Sequence, residues 1–154
     1  MLIFKALHIL AMFTMVTVFL GGEFVYSWAF WRGDVKGLAW IHRLMVQTRV
    51  PIFGIAILLL GIVFGLLTAA TGGFDYLDGW LLAAYALVVL FFVNSIVLGD
   101  RLLRIARRAV EADDGKIPAD EVAHEMTRRG PIAFFPINAA IFAAIIADMV
   151  LKPF

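Results

Sequence analysis

His8 stands in an apolar stretch with Met12 and Met15 four and seven residues further on, so a helix would carry an imidazole and two thioethers on one face. That set could hold haem iron through the imidazole nitrogen against apolar walls. It could equally be an interhelical hydrogen bond from a neutral ring. Asp148 and Lys152 are spaced as an acid-to-base helical pair. Alternatively, Asp148 accepts from the His8 ring and orients it, with Lys5, three residues before His8, beside the same site. The other histidines, His42 and His124, fall in polar segments. No second histidine therefore shares the depth of His8, and the sixth ligand of an iron there would be a Met, a Lys, water, nothing, or a His from a second subunit. Glu23 could pair with Arg32, Arg43 or Arg49, or relay protons. Asn94 and Asn138 fall at similar depth and are expected to share an amide hydrogen bond. Gly54, Gly61 and Gly65 line one side of a helix, and the last two form a small-xxx-small pair that lets backbones approach. There are no cysteines, which excludes disulfides and thiolate ligands. No phosphate-binding loop, nucleophile elbow, zinc helix or pair of catalytic carboxylates is present.

The elements that must position these groups are membrane helices. The chain is 63% hydrophobic and 16% charged, with a mean hydropathy of +0.95, whereas a soluble domain is about half apolar. Crossing about 30 Å of hydrocarbon takes roughly 20 apolar residues. Four stretches qualify, at about 2–28, 50–70, 77–98 and 131–151. The first runs on through Glu23 to Trp31 with no small-x-small cleavage site and is read as a retained helix. The expected fold is all-α: a single polytopic membrane domain over 1–154, with four transmembrane helices in an antiparallel bundle.

Eleven of the thirteen Lys and Arg residues flank the first and third connections, and only Lys5 and Lys152 lie on the opposite side. The positive-inside rule makes the crowded side cytoplasmic and puts both termini on the non-cytoplasmic side. The same rule accounts for the basic residues without nucleic acid. Beyond the third span, Leu102, Leu103, Ala106 and Val110 share a helical face with Ile105 at its flank, and Arg101, Arg104, Arg107 and Arg108 take the other face. The turn Asp113-Asp114-Gly115 ends that helix, and Pro118 opens a second one through Arg129. A cytoplasmic helical hairpin over about 99–130 is expected, its arginines serving topology, anionic lipid or a docked partner. The second and fourth spans open alike, with Arg49-Val50-Pro51-Ile52 and Arg129-Gly130-Pro131-Ile132. Duplication of a hairpin would produce this likeness, and convergent helix-start chemistry, with Pro in the first turn, explains it more simply.

With these residues placed, the chain resembles the bacterial integral membrane family called domain of unknown function 2269. The resemblance rests on Phe4-Lys5-Ala6-Leu7-His8-Ile9-Leu10, on Gly21-Gly22, on Gly99-Asp100-Arg101-Leu102-Leu103 and on the closing Met149-Val150-Leu151-Lys152-Pro153. The Lys5-x-x-His8 opening is also similar to the start of the copper-resistance D proteins and of the J-type membrane protoporphyrinogen oxidase. In the latter the matching histidine is implicated in haem binding. The chain departs from that enzyme in having no lysine in its second or third span and in having fewer spans. The resemblance thus implies haem ligation by His8 rather than porphyrinogen oxidation. Two readings follow. One is a haem b-associated redox or haem-handling protein of the bacterial cytoplasmic membrane, with His8 as axial ligand to haem iron and Met12 beside the cofactor. The other is a non-catalytic accessory subunit that packs, in a homodimer or a larger membrane complex, through its apolar helices and basic hairpin. A small transporter is disfavoured because the spans offer few polar groups to line a path.

Overall fold

The computed structural model describes residues 2–127 and 129–151, with the side chains of residues 129–131 outside that description. Helices follow one another in the order α1 (Leu2–Arg32), α2 (Val35–Thr48), α3 (Val50–Gly72), α4 (Gly79–Asn94), a π-helical stretch (Ser95–Gly99), α5 (Asp100–Asp113), α6 (Ala119–Met126) and α7 (Arg129–Leu151), and no strand occurs among the described residues. Four continuous segments are long and apolar enough to cross a membrane: Leu2–Arg32, Val50–Gly72, Gly79–Asp113 and Ile132–Leu151. This is the all-α, four-span bundle that the apolar runs imply.

One of these segments is longer than a bilayer core requires. The 35 residues of Gly79–Asp113 extend about 52 Å at ~1.5 Å per residue, well beyond the ~30 Å of a bilayer core. Around that overhang a second layer is assembled. α1 ends where Gly33 takes a positive φ of 62°, a conformation that costs glycine nothing. Asp34 then starts α2 by accepting a hydrogen bond from the Gly37 amide at 2.9 Å. The charged segment after the first span is therefore a helix rather than a plain loop.

Two apolar cores result. In the spans, Met15, Leu58, Phe91, Ile141, Phe142 and Ile145 meet between α1, α3, α4 and α7. α1 packs mainly on α3 and α7, and α4 on α7. The second core joins Phe30 of α1, Leu38 and Ala39 of α2, Ile105 and Ala106 of α5, and Val122 and Met126 of α6. On α5 the buried residues are Leu102, Ile105, Ala106 and Ala109. Ile105 therefore lies at the centre of the apolar stripe and Leu103, expected within it, is exposed, because α2 and α6 press on α5 from the Ile105 side. Ion pairs fasten the rim. Arg43 of α2 reaches Asp113 and Asp114 at 2.5 and 2.6 Å. Arg108 of α5 pairs with Glu125 and Glu121 of α6. α6 closes at Met126, short of the expected Arg129, and Arg128 lies outside the described residues.

α7 carries Pro136 in its interior. Proline has no amide hydrogen and leaves the carbonyl four residues earlier without its helical partner. That carbonyl is Ile132 O, and Trp31 Nε1–H donates to it at 3.3 Å. The indole repairs the bond that proline removes and ties the end of α1 to the start of α7.

Candidate functional site

α1 and α3 approach closely because three glycines of α3 face α1. A β-carbon added at Gly54 would stand 3.0 Å from a Phe19 ring carbon, at Gly61 2.8 Å from Met12 Sδ, and at Gly65 2.9 Å from His8 Cε1. Into this gap His8 sends its ring. His8 Nδ1–H donates to the Gly61 carbonyl oxygen at 2.7 Å. A carbonyl only accepts, so Nδ1 carries the hydrogen, and in the neutral ring Nε2 is the nitrogen with a free lone pair. Among the described residues Nε2 has no hydrogen-bond partner.

The other residues read as part of this site are arranged less tightly. Met12 is half-buried against Gly61, while Met15 is fully interior in the span core. Lys5 is exposed. Asp148 is half-buried, with Oδ2 enclosed and without a hydrogen-bond partner. The acceptor for the His8 ring is thus the Gly61 carbonyl and not Asp148. Lys152, the expected partner of Asp148, lies outside the described residues. No group of three or more His, Cys, Asp or Glu side chains that could hold a metal ion occurs among the described residues.

The remaining histidines belong to the second layer. His42 on α2 shares a 3.1 Å hydrogen bond between its Nδ1 and the Tyr26 hydroxyl. Burial, and then the nearby Arg107 charge, hold its pKa below the ordinary histidine value. His124 on α6 is exposed.

A second polar group lies deeper. Glu23, expected to meet an arginine, accepts instead from Asn138 Nδ2 at 2.7 Å. Asn138 Oδ1 accepts in turn from Asn94 Nδ2 at 2.7 Å, which joins the two asparagines as their matched depth suggests. The arginines are engaged elsewhere: Arg43 with Asp113 and Asp114, and Arg32 over the Trp28 ring, 5.3 Å from its centroid. Glu23 points inward from α1, whereas those cations sit on the rim where water reaches them. Glu23 Oε2, Ser27 Oγ and Ser95 Oγ are enclosed without partners. The two serines escaped notice in the sequence, although Ser27 follows Glu23 by one helical turn and Ser95 adjoins Asn94.

A family model described as a predicted integral membrane protein (DUF2269) matches residues 2–153. No curated protein and no solved structure matches the chain.

Proposed function

We propose that this chain, which belongs to the DUF2269 family of predicted integral membrane proteins, is a haem b-associated redox or haem-handling protein of the bacterial cytoplasmic membrane in which His8 supplies an axial nitrogen. The observation that carries the reading is the 2.7 Å bond from His8 Nδ1–H to the Gly61 carbonyl. It holds the ring on a rigid helix and leaves the ligating nitrogen bare. A backbone acceptor on the far nitrogen is how metal-bound imidazoles are oriented and made more basic. Gly61 and Gly65 give the ring its seat. Met12, one turn along the same helix, offers an apolar wall rather than a ligand from the opposite side. Lys5, exposed one turn before His8, is placed to meet the carboxylates of a tetrapyrrole. When bound, the group supplies one-electron chemistry. A second copy of the chain or water would complete the coordination. The excess of basic residues at the α2–α5–α6 end supports placing His8 on the non-cytoplasmic side.

The absorption spectrum of the purified protein, expressed with ample haem supply, tests this. A Soret band with reducible α and β bands is expected in the wild type and in His42→Ala, and is lost or strongly shifted in His8→Ala. A colourless wild type, or a His8→Ala spectrum identical to it, overturns the assignment. The accessory-subunit reading then takes its place, provided the chain co-purifies stoichiometrically with a larger complex.

A further inference from the structure

The two apolar cores meet along a polar seam, and three of the four long segments change core at a polar residue, while α3 stays in the span core. α1 passes from Leu20 in the span core to Tyr26 in the second core across Glu23. The third span passes from Phe91 of α4 to Leu98 of the π-helical stretch across Asn94, and α7 from Phe134 to Ile141 across Asn138. These polar residues form one hydrogen-bonded line, Asn94 to Asn138 to Glu23. Asn138 is wholly buried and uses both ends of its amide in that line. Glu23 is 8% exposed and Ser27 0%, and Glu23 Oε2 and Ser27 Oγ have no partner.

An ionised carboxylate in this position would hold a full charge on a single amide donor, with no cation paired to it among the described residues. Burying such a charge uncompensated is heavily penalised, because the low-dielectric interior does not replace its lost hydration. The neutral acid fits better, because Oε2–H can then donate to Ser27 Oγ one turn along the same face. The line also ends on an unusual backbone: Asn94 is followed immediately by the π-helical stretch Ser95–Gly99, a geometry that concentrates at functional sites.

We infer that Glu23 is a reversible proton-binding site of the membrane core, wired through Asn138 and Asn94 to the π-helical junction between α4 and α5. Loss of the proton breaks the Oε2–H bond and leaves its electron pair on the carboxylate, and the proton passes to water. The two oxygens then both demand donors, and Asn138, Asn94 and the serines are the groups that must answer. Few other titratable groups face the seam. Tyr26 on α1 is bonded to His42 of α2, and Asp100 of α5 is paired with Arg104. Tyr85 of α4 lies more than two helical turns before Asn94, Asp148 of α7 lies toward the far end of its helix, and α3 carries no titratable residue.

Infrared spectroscopy of the full chain in lipid nanodiscs, titrated with pH, tests the site. The carboxylic-acid C=O band is expected at neutral pH, fading as pH rises; it is absent in Glu23→Gln and retained in Asp148→Asn. If Glu23→Gln fails to fold, isotope-labelled glutamate assigns the band to a glutamate in the wild type, and its survival in Glu111→Gln, Glu121→Gln and Glu125→Gln leaves Glu23 as its source. Hydrogen exchange of the Ser95–Gly99 amides should change over the same pH range, stay constant in Glu23→Gln, and lose its response in Asn94→Leu while the band persists. A wild type with no such band at neutral pH, a band that survives Glu23→Gln, or exchange that ignores pH overturns the inference.

Discussion

Leu38 and Leu58 are both leucines with almost no exposed surface, at 0% and 3%, yet they are buried against different alternatives. Leu38 sits in the layer built by α2, α5 and α6, whose outer faces carry Arg43, Arg104 and Arg108. Unfolding there hands apolar surface to water. Leu58 sits among the spans, where Leu59 next to it is 55% exposed on a helix whose other surroundings are lipid. Unpacking there exchanges one hydrocarbon neighbour for another, so the hydrophobic effect contributes little between helices, and close fit and hydrogen bonds decide. The sequence shows the same contrast. Amphipathic stripes mark α2 and α5, while α3 is apolar all round.

The sharpest way to break this comparison is to make the same deletion in both regions. Leu38→Ala should cost about 2–5 kcal/mol, the usual sum of lost transfer energy and cavity. Leu58→Ala should cost about 1–2 kcal/mol, because the transfer part vanishes where lipid replaces water. Leu59→Ala should be nearly silent. Thermal unfolding in one detergent ranks the three, and equal losses at Leu38 and Leu58 would show that both cores answer to the same solvent.

How much of this could be read beforehand differs between the regions for the same physical reason. Spans announce themselves by composition, and the pairing of Asn94 with Asn138 followed from depth alone. The helix α2 is harder to read, although Val35, Leu38, Ala39 and Ile41 repeat at helical spacing behind the Asp34 cap, because Arg32, Lys36, Arg43 and Arg49 in and around the same stretch are also what a charged, topology-setting loop would carry. Glu23 lies 115 positions from its partner Asn138. Nothing local distinguishes that bond from one to a rim arginine. The His8 acceptor is a backbone carbonyl, which leaves no mark in a sequence beyond the glycines that bring it within reach.

Those glycines allow a second test, confined to the spans. Gly61→Leu puts a branched side chain where even a β-carbon would lie 2.8 Å from Met12 Sδ. Overpacking of this kind costs about 1–3 kcal/mol, and separating α1 from α3 also stretches the bond between His8 and Gly61. Reduced thermostability in detergent is expected, with the α2–α5–α6 layer left intact to limited proteolysis. An unchanged melting temperature would mean that close approach contributes nothing here, and would remove the difference drawn between the two cores.

The smallest expected effect concerns protons in the outer layer. His42 bonds to the Tyr26 hydroxyl at 3.1 Å, and burial first, then the Arg107 charge, keep its pKa below the ordinary 6.5. Above that value the ring is neutral in both the folded and the unfolded chain and makes no difference to stability. As pH falls through it, the unfolded chain takes up a proton that the folded one resists, so the unfolded state binds more protons and stability drops. The loss grows until the folded ring is itself protonated, and then levels off. Melting temperatures measured from neutral pH down to about pH 5, across the ordinary histidine range, should therefore fall more steeply for the wild type than for His42→Gln. Arg107→Gln should lie between them, since it removes one of the two causes and leaves burial. Equal slopes in wild type and His42→Gln would show that the ring takes its proton as readily folded as unfolded, and that α2 packs over it too loosely to keep water out.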